Sequence, residues 1–207
     1  MSENTRLTDL AQEVTAVLLA AGSSQRMGRP KQLLPVNGRA AVRYCAETIL
    51  AAGLRDIVVV TGANARETEA ALDGLPVRSA RNPDPNSDMA GSVRTGLNAV
   101  DPSSRFVLIC LADHPLVTAD TIRRALTESA RHPVKIIIPC YQGRRGHPTL
   151  FPRSIINEVD AGKNLRDLIN IHAAHVHPID VDDEGVMLDM DTEEDYEKIR
   201  RRSEKAS

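Results

Sequence analysis

The sequence predicts an α/β fold of three layers, a mainly parallel sheet with helices on both faces, and three observations predict it. Apolar runs of strand length alternate with segments of helical periodicity from residue 14 to residue 139, the pattern of successive βαβ units. The runs are apolar throughout rather than at every second residue, as in strands covered on both faces. Glycine or another turn-forming residue closes most segments.

Residues 1–13 are polar and acidic and read as a flexible or weakly helical lead-in. Val14–Leu19 is the first strand, and it breaks at Ala21-Gly22 into a loop of small residues. A turn at Pro35–Gly38 leads to a helix over Ala40–Ala52, with Val42, Cys45, Ile49 and Leu50 at helical spacing and Gly53 as its stop. Asp56–Thr61 is a second strand, Asn64–Leu72 a helix with Asn64 as its cap, and Pro76–Ala80 a short third strand. Asn82–Asp88 is a turn-rich loop with two prolines. Met89–Val100 follows as a helix with Val93, Leu97 and Val100 on one face. Arg105–Leu111 is the most strongly marked strand and runs into Ala112-Asp113-His114-Pro115. A helix over Thr118–Ala130 and a strand over Val134–Pro139 complete the regular alternation.

After residue 139 the rhythm changes. Tyr141–Pro148 is a glycine-rich basic loop and Thr149–Phe151 an apolar piece. Short helices are expected at Ser154–Val159 and Asn164–Ala173, a strand at His175–Val181, and a charged helix at Glu193–Arg202. No repeat or linker divides residues 1–207, which read as one domain with residues 140–207 as its second half.

Composition narrows the functional classes. Aromatic residues are only 2% with no Trp, which argues against stacking platforms for single-stranded nucleic acid. A net charge of −2 recruits neither nucleic acid nor an anionic membrane, so any anion site must be local. No apolar run reaches membrane-spanning length, and the first residues carry no apolar signal core. Cys45, Cys110 and Cys140 lie far apart and form no CxxC pair, which fits unpaired thiols in a reducing cytoplasm.

Two stretches carry candidate chemistry. In the loop after the first strand, small residues let backbone N–H groups approach an oxyanion, and Arg26, Arg29 and Lys31 follow within a few residues. This is either a phosphate cradle or an ordinary strand-to-helix turn with solvated charges. Asp113 follows the most apolar strand, which places it at the carboxyl rim of the sheet beside that loop. It is either a ligand of Mg²⁺, which takes one or two carboxylates plus phosphates, or a cap or turn aspartate. A second acidic cluster, Asp189 to Asp195, could complete a metal site or stabilise the start of its helix. His172, His175 and His177 match no standard zinc spacing and read as solvent-facing or core histidines. Walker, GxSxG and GxGxxG patterns are absent, which removes the P-loop, serine-hydrolase and dehydrogenase readings.

Taken together, the stretches Leu19–Lys31, Ser92–Leu97, Leu111–Pro115, Gly146–Pro148 and Asp189–Thr192 resemble the MobA-like nucleotidyltransferases. This branch of the Rossmann-like, nucleotide-binding glycosyltransferase-A fold includes the molybdenum cofactor cytidylyl- and guanylyltransferases. The resemblance implies that Leu19, Ala20, Ala21, Gly22, Ser23 and Gly28 hold the nucleotide and its phosphates, with Ser92 near base and ribose. It implies that Arg26 and Lys31 neutralise the triphosphate, and that Asp113, with Asp191 or less surely Asp189, holds Mg²⁺. Gly146, His147 and Pro148 would face the acceptor. Leu19-Ala-Ala-Gly22, where the guanylyl branch commonly has a second glycine for Ala21, favours CTP over GTP, because the Ala21 methyl suits the smaller pyrimidine. The implied acceptor is molybdopterin, and the implied protein partner a molybdenum hydroxylase or its chaperone. Ala161–Asp167 and Asp88–Gly91 depart from the family pattern, which leaves acceptor identity open. GTP as donor, a sugar phosphate as acceptor, and a non-catalytic assembly partner of a molybdenum enzyme therefore stand as alternatives.

Overall fold

In the computed structural model, residues 10–22, 27–159 and 162–205 are described. In chain order the elements are β1 (Val14–Ala20), β2 (Pro35–Val36), β3 (Arg39–Ala40), α1 (Ala41–Ala51), β4 (Asp56–Thr61), α2 (Ala65–Ala71), β5 (Arg78–Arg81), α3 (Met89–Asn98), β6 (Phe106–Leu111), α4 (Ala119–Arg131), β7 (Ile136–Tyr141), β8 (Arg144–Arg145), β9 (Thr149–Pro152), α5 (Arg153–Ile156), α6 (Leu165–Ile171), β10 (Val176–Asp180) and α7 (Glu193–Lys205). The main sheet runs β10-β7-β9-β6-β1-β4-β5, with β8 added to β7. β1 lies in parallel between β4 and β6, and β7 runs parallel to β10. β9 alone among the strands on this path runs antiparallel, to both β6 and β7.

The three layers follow from the two faces of each strand. Ala16, Leu18, Ile57, Val59 and Leu108 point to one side, where they meet Val42, Cys45 and Ile49 of α1 and Ile122 and Leu126 of α4. Val17, Val58, Val60, Val107 and Ile109 point to the other, against Val93 of α3, Ile155 and Ile156 of α5, and Leu168 of α6. Because both faces are covered, successive residues are all apolar, which is why the strands lack polar alternation. α3 lies close on the sheet because residue 96 is glycine. A Cβ there would stand 2.5 Å from Val17 Cγ1 and 3.0 Å from Val60 Cγ2.

A third cluster joins the ends of the chain. Leu34 and Val36 of the β2–β3 hairpin pack with Met190, Tyr196 and Ile199, and the Tyr196 hydroxyl donates to the Pro35 carbonyl at 2.9 Å. Among the described residues no helix is long and apolar enough to cross a membrane.

Several expectations are refined. The lead-in is described only from Leu10, where residues 10–12 are helical and Ala11 is buried. The third strand starts at Arg78 and is an edge strand with a largely exposed pattern, so hydrophobic periodicity could not bound it. Asn64 makes no side-chain cap bond; α2 starts instead from a turn in which the Ala65 N–H donates to the Gly62 carbonyl. The strand expected from Val134 begins at Ile136, since the Lys135 N–H closes a turn on the His132 carbonyl. The apolar piece at Thr149 is β9, wedged between β6 and β7.

Candidate active site

β1, β4 and β6 all end at the same rim, and their loops are held in contact. The pairing of β1 with β6 continues one residue past the strands through the Ala112 N–H, which donates to the Leu19 carbonyl at 3.0 Å. On the other side, a Cβ at Gly62 would stand 2.6 Å from the Ala21 carbonyl oxygen, so only glycine lets the β4 loop meet the β1 loop this closely. The rim lies at the crossover point of the sheet, where chain order reverses across β1 and where such folds bind ligands.

A cleft of about 250 Å³ opens here, and Leu19, Ala20, Ala21, Gly22, Lys31, Ser92 and Asp113 all line it. The sequence-predicted residues from four separate segments are thus neighbours in space. Ser23 and Arg26 lie outside the described residues. Gly28 is exposed at φ +64°, in a turn beyond the cleft lining. Arg29 is not in the cleft lining: its guanidinium pairs with Glu193 at 2.5 Å and stands 5.5 Å from the Tyr196 ring centroid, tying the segment before Lys31 to α7.

Lys31 holds the centre of the charge arrangement. Its ammonium donates to Asp113 Oδ2 at 2.5 Å and to Asp191 Oδ1 at 2.9 Å. Burial would lower the lysine pKa, but Asp113 and then Asp191 outweigh it and raise it above its ordinary value, so the side chain stays charged. Asp191 reaches this point because the chain just before it is anchored. The Met190 N–H donates to the Asp113 carbonyl at 3.0 Å, and the Met190 side chain is fully buried. Asp189, on the other side of that anchor, is exposed. Its carboxyl is raised above its ordinary value chiefly by desolvation, which His114 opposes and Asp191 and Asp113 reinforce. Two hard carboxylates converging on one cation form a donor set that suits Mg²⁺ or a similar ion, and the Lys31 ammonium shows that the position accepts positive charge. Asp113 is not the cap of α4; Thr118 is, accepting from the Thr121 N–H.

Asn82 went unread in the sequence because it opens a loop rich in proline and turn formers. It is buried in the cleft wall. Its N–H donates to the Thr61 carbonyl at 2.8 Å, and its amide donates to Ser92 Oγ at 3.2 Å. Ser92 is thereby oriented at the first turn of α3, whose cap is Asp88, accepting from the Gly91 N–H. Gln32, Asp84 and Met89 also line the cleft; Met89 belongs to the Asp88–Gly91 stretch that departs from the family pattern, whereas Gln32 and Asp84 carried no signal of their own.

Gly146, His147 and Pro148 do not line this cleft. A Cβ at Gly146 would stand 2.3 Å from the Val186 carbonyl oxygen, and the His147 N–H donates to that same oxygen at 2.9 Å. His147 and Pro148 border a separate small cavity of about 20 Å³ with His114, Cys45 and Cys110. The His147 ring stands edge-on to His114 at 5.2 Å. Burial, with a lesser contribution from His114, pushes its pKa down to about 4, so it is neutral at pH 7. The thiols of Cys45 and Cys110 are pushed up by burial, Cys110 to about 12, which keeps them protonated and unreactive. The three histidines of the 172–177 stretch go separate ways. His172 meets Glu158 at 3.0 Å, His175 the Val134 carbonyl at 3.2 Å, and His177 the Glu128 carboxylate.

A family model described as the MobA-like NTP transferase domain matches residues 16–178. Three curated relatives are similar to the chain. The nicotine blue oxidoreductase of Paenarthrobacter nicotinovorans is 33% identical, covering 90% of this chain and 96% of that protein. The molybdenum cofactor guanylyltransferase of Rhizobium johnstonii is 32% identical over 72% and 68% of the two chains. The molybdenum cofactor cytidylyltransferase of Escherichia coli is 25% identical over 91% and 96%. Among solved structures, a Mycobacterium tuberculosis protein in complex with manganese superposes with a TM-score of 0.72 at 28% identity, over 91% of this chain and 98% of that one.

Proposed function

The chain belongs to the MobA-like NTP transferase domain family, and we propose that it transfers CMP from CTP to the terminal phosphate of molybdopterin, releasing pyrophosphate, in the cytoplasm. The observation that carries this reading is the Lys31 ammonium between Asp113 and Asp191 at the mouth of a cleft whose floor is the Leu19–Gly22 loop. Asp113 and Asp191 would hold Mg²⁺, and the manganese complex of the mycobacterial relative supports a divalent ion for this fold. When bound, that ion supplies charge neutralisation at the triphosphate.

The chain's own residues do the rest. An oxygen of the acceptor phosphate attacks the α-phosphorus in line; the new P–O bond forms as the bond to the bridging oxygen of the β-phosphate breaks and pyrophosphate leaves. An acceptor phosphomonoester is largely dianionic at neutral pH, its second pKa being about 6, so it needs no protein base. Lys31 and the backbone at Ala21 and Gly22, which line the cleft, would offset the charge that builds on the leaving phosphates. Ala21 narrows the base end of the cleft by one methyl relative to glycine, which favours a pyrimidine, and Ser92, held by Asn82, faces the ribose side. His147, neutral at the small cavity beside His114, would lie on the acceptor side without adding charge.

The test is to supply each NTP with Mg²⁺ and molybdopterin in turn and measure pyrophosphate. Release with CTP and molybdopterin above all other pairs is the expected result; release with GTP or with a sugar phosphate instead would overturn the donor or the acceptor assignment. A second reading is favoured by the 33% identity to an oxidoreductase over nearly its whole length. On that reading the same cleft carries an oxidation–reduction rather than a nucleotidyl transfer, without the GxGxxG fingerprint of a dinucleotide fold. Redox turnover of nicotine blue, with no pyrophosphate from any NTP, would select it.

A further inference from the structure

We propose that Glu128, His132 and His177 form a second metal site, for a divalent ion of the zinc class, at the opposite rim of the sheet from the cleft. The three residues come from two elements that are far apart in sequence. Glu128 and His132 are one turn apart at the carboxyl end of α4, and His177 is the second residue of β10, paired in register with Ile137 near the start of β7. β7 runs parallel to β1 in sense, so this end of β10 is the amino rim, away from Lys31 and Asp113.

The donor atoms already converge. One atom from each of the three residues lies within 4.8 Å of the other two. Both imidazoles aim Nε2 at the same carboxylate oxygen, Glu128 Oε2, at 3.8 Å for His132 and 3.7 Å for His177. Their rings lie 4.1 Å apart, tilted by 37°. Tetrahedral zinc with bonds of about 2.0–2.1 Å sets its donors about 3.3 Å apart, so each carboxylate–imidazole separation must shorten by about half an ångström, and the imidazole pair, within 4.8 Å, by no more than about 1.5 Å. The other oxygen of Glu128 is taken by Arg131 Nη1 at 2.7 Å, which orients the carboxylate and leaves Oε2 to the metal, the role of a supporting outer group. Two imidazoles and a carboxylate are a donor set that zinc uses with a fourth position left to water, whereas Mg²⁺ prefers oxygen ligands alone. Such an ion would fasten β10, among the described residues an edge strand paired with β7, to the helix that covers the sheet.

The experiment is a Zn²⁺ titration of the chelator-stripped full chain in excess Mg²⁺, by competition with a chromophoric chelator, repeated with Co²⁺ to read its visible spectrum. One equivalent of Zn²⁺ should bind, and Co²⁺ should give the intense bands of a four-coordinate site. His132→Ala, His177→Ala and Glu128→Gln should each weaken binding by more than the roughly 10- to 100-fold typical of losing a supporting group. Asp113→Asn should leave it unchanged, and His132→Ala should keep the nucleotidyl-transfer rate of the parent. Equal melting temperatures of the stripped proteins exclude a folding defect, and Glu128→Gln keeps the shape of the side chain it replaces. Zinc affinity that survives in the His132→Ala, His177→Ala double variant, or that is lost in Asp113→Asn, would overturn the proposal.

Discussion

Lys31 is the residue on which the cleft's charge balance turns, because it meets partners 82 and 160 positions away in the chain. On the proposed function, replacing it by Met would remove a charge-assisted contact to the triphosphate, and such contacts are worth about 1.5–3 kcal/mol. The KM for CTP should rise by about 10- to 100-fold, measured in steady state, with the fold unchanged by circular dichroism. Asp113→Ala should instead lower kcat by about 10²- to 10³-fold, the cost typical of losing one preorganised electrostatic group; the Asp113 carbonyl still receives the Met190 N–H, so melting should shift little. His147 governs an acid transition. Its pKa falls from 6.5 to about 4 on folding, so the unfolded chain binds the extra proton between those values and stability rises with pH across that window. Urea titrations from pH 6.5 down to 4 should show a loss on the order of 3 kcal/mol, and His147→Gln should flatten it.

At the scale of elements, the second half of the chain is fastened to the first by a buried carboxylate. Asp183 accepts from the Thr118 N–H and hydroxyl, both at 2.9 Å, from the Thr121 hydroxyl at 2.6 Å, and from the Gly185 N–H at 2.9 Å. It thereby joins the start of α4 to the turn that leads toward Met190 and Asp191. Asp183→Ala strands those donors in a buried site and should cost about 2–4 kcal/mol in equilibrium unfolding, with Asp183→Asn recovering part of it. The hairpin of β2 and β3 and helix α7 behave likewise as a unit. Arg29 with Glu193 and Tyr196 with Pro35 tie them together, so the loop carrying Lys31 and the segment carrying Asp191 are positioned by the same packing.

For the whole molecule, the cleft joins parts that fold as separate segments of one sheet, so ligand binding and global stability are linked. CTP together with Mg²⁺ should raise the melting temperature, by about 2.7 kcal/mol of added stability at a hundredfold excess over Kd, while CTP with a chelator should raise it much less. Equal stabilisation with and without the ion would argue against Asp113 and Asp191 as its ligands.

The sheet was legible in the sequence because strands such as Phe106–Leu111 are buried on both faces and must be apolar throughout. The rim residues Ala21 and Asp113 were legible for the same reason, since they follow directly where such runs stop. Other features carried no local mark. β9 is four residues long and owes its place to pairing with β6 and β7, and Asn82 reads as one more turn former until its amide is seen on Ser92. His177 was grouped with its sequence neighbours His172 and His175, yet its partners sit on α4. The sequence by itself determined the layers and the rim at which a ligand must bind, because burial dictates composition along each strand. Only the tertiary structure decided that Asp191 rather than Asp189 reaches Lys31. The reason is one backbone hydrogen bond, from Met190 to Asp113, together with the burial of a single methionine.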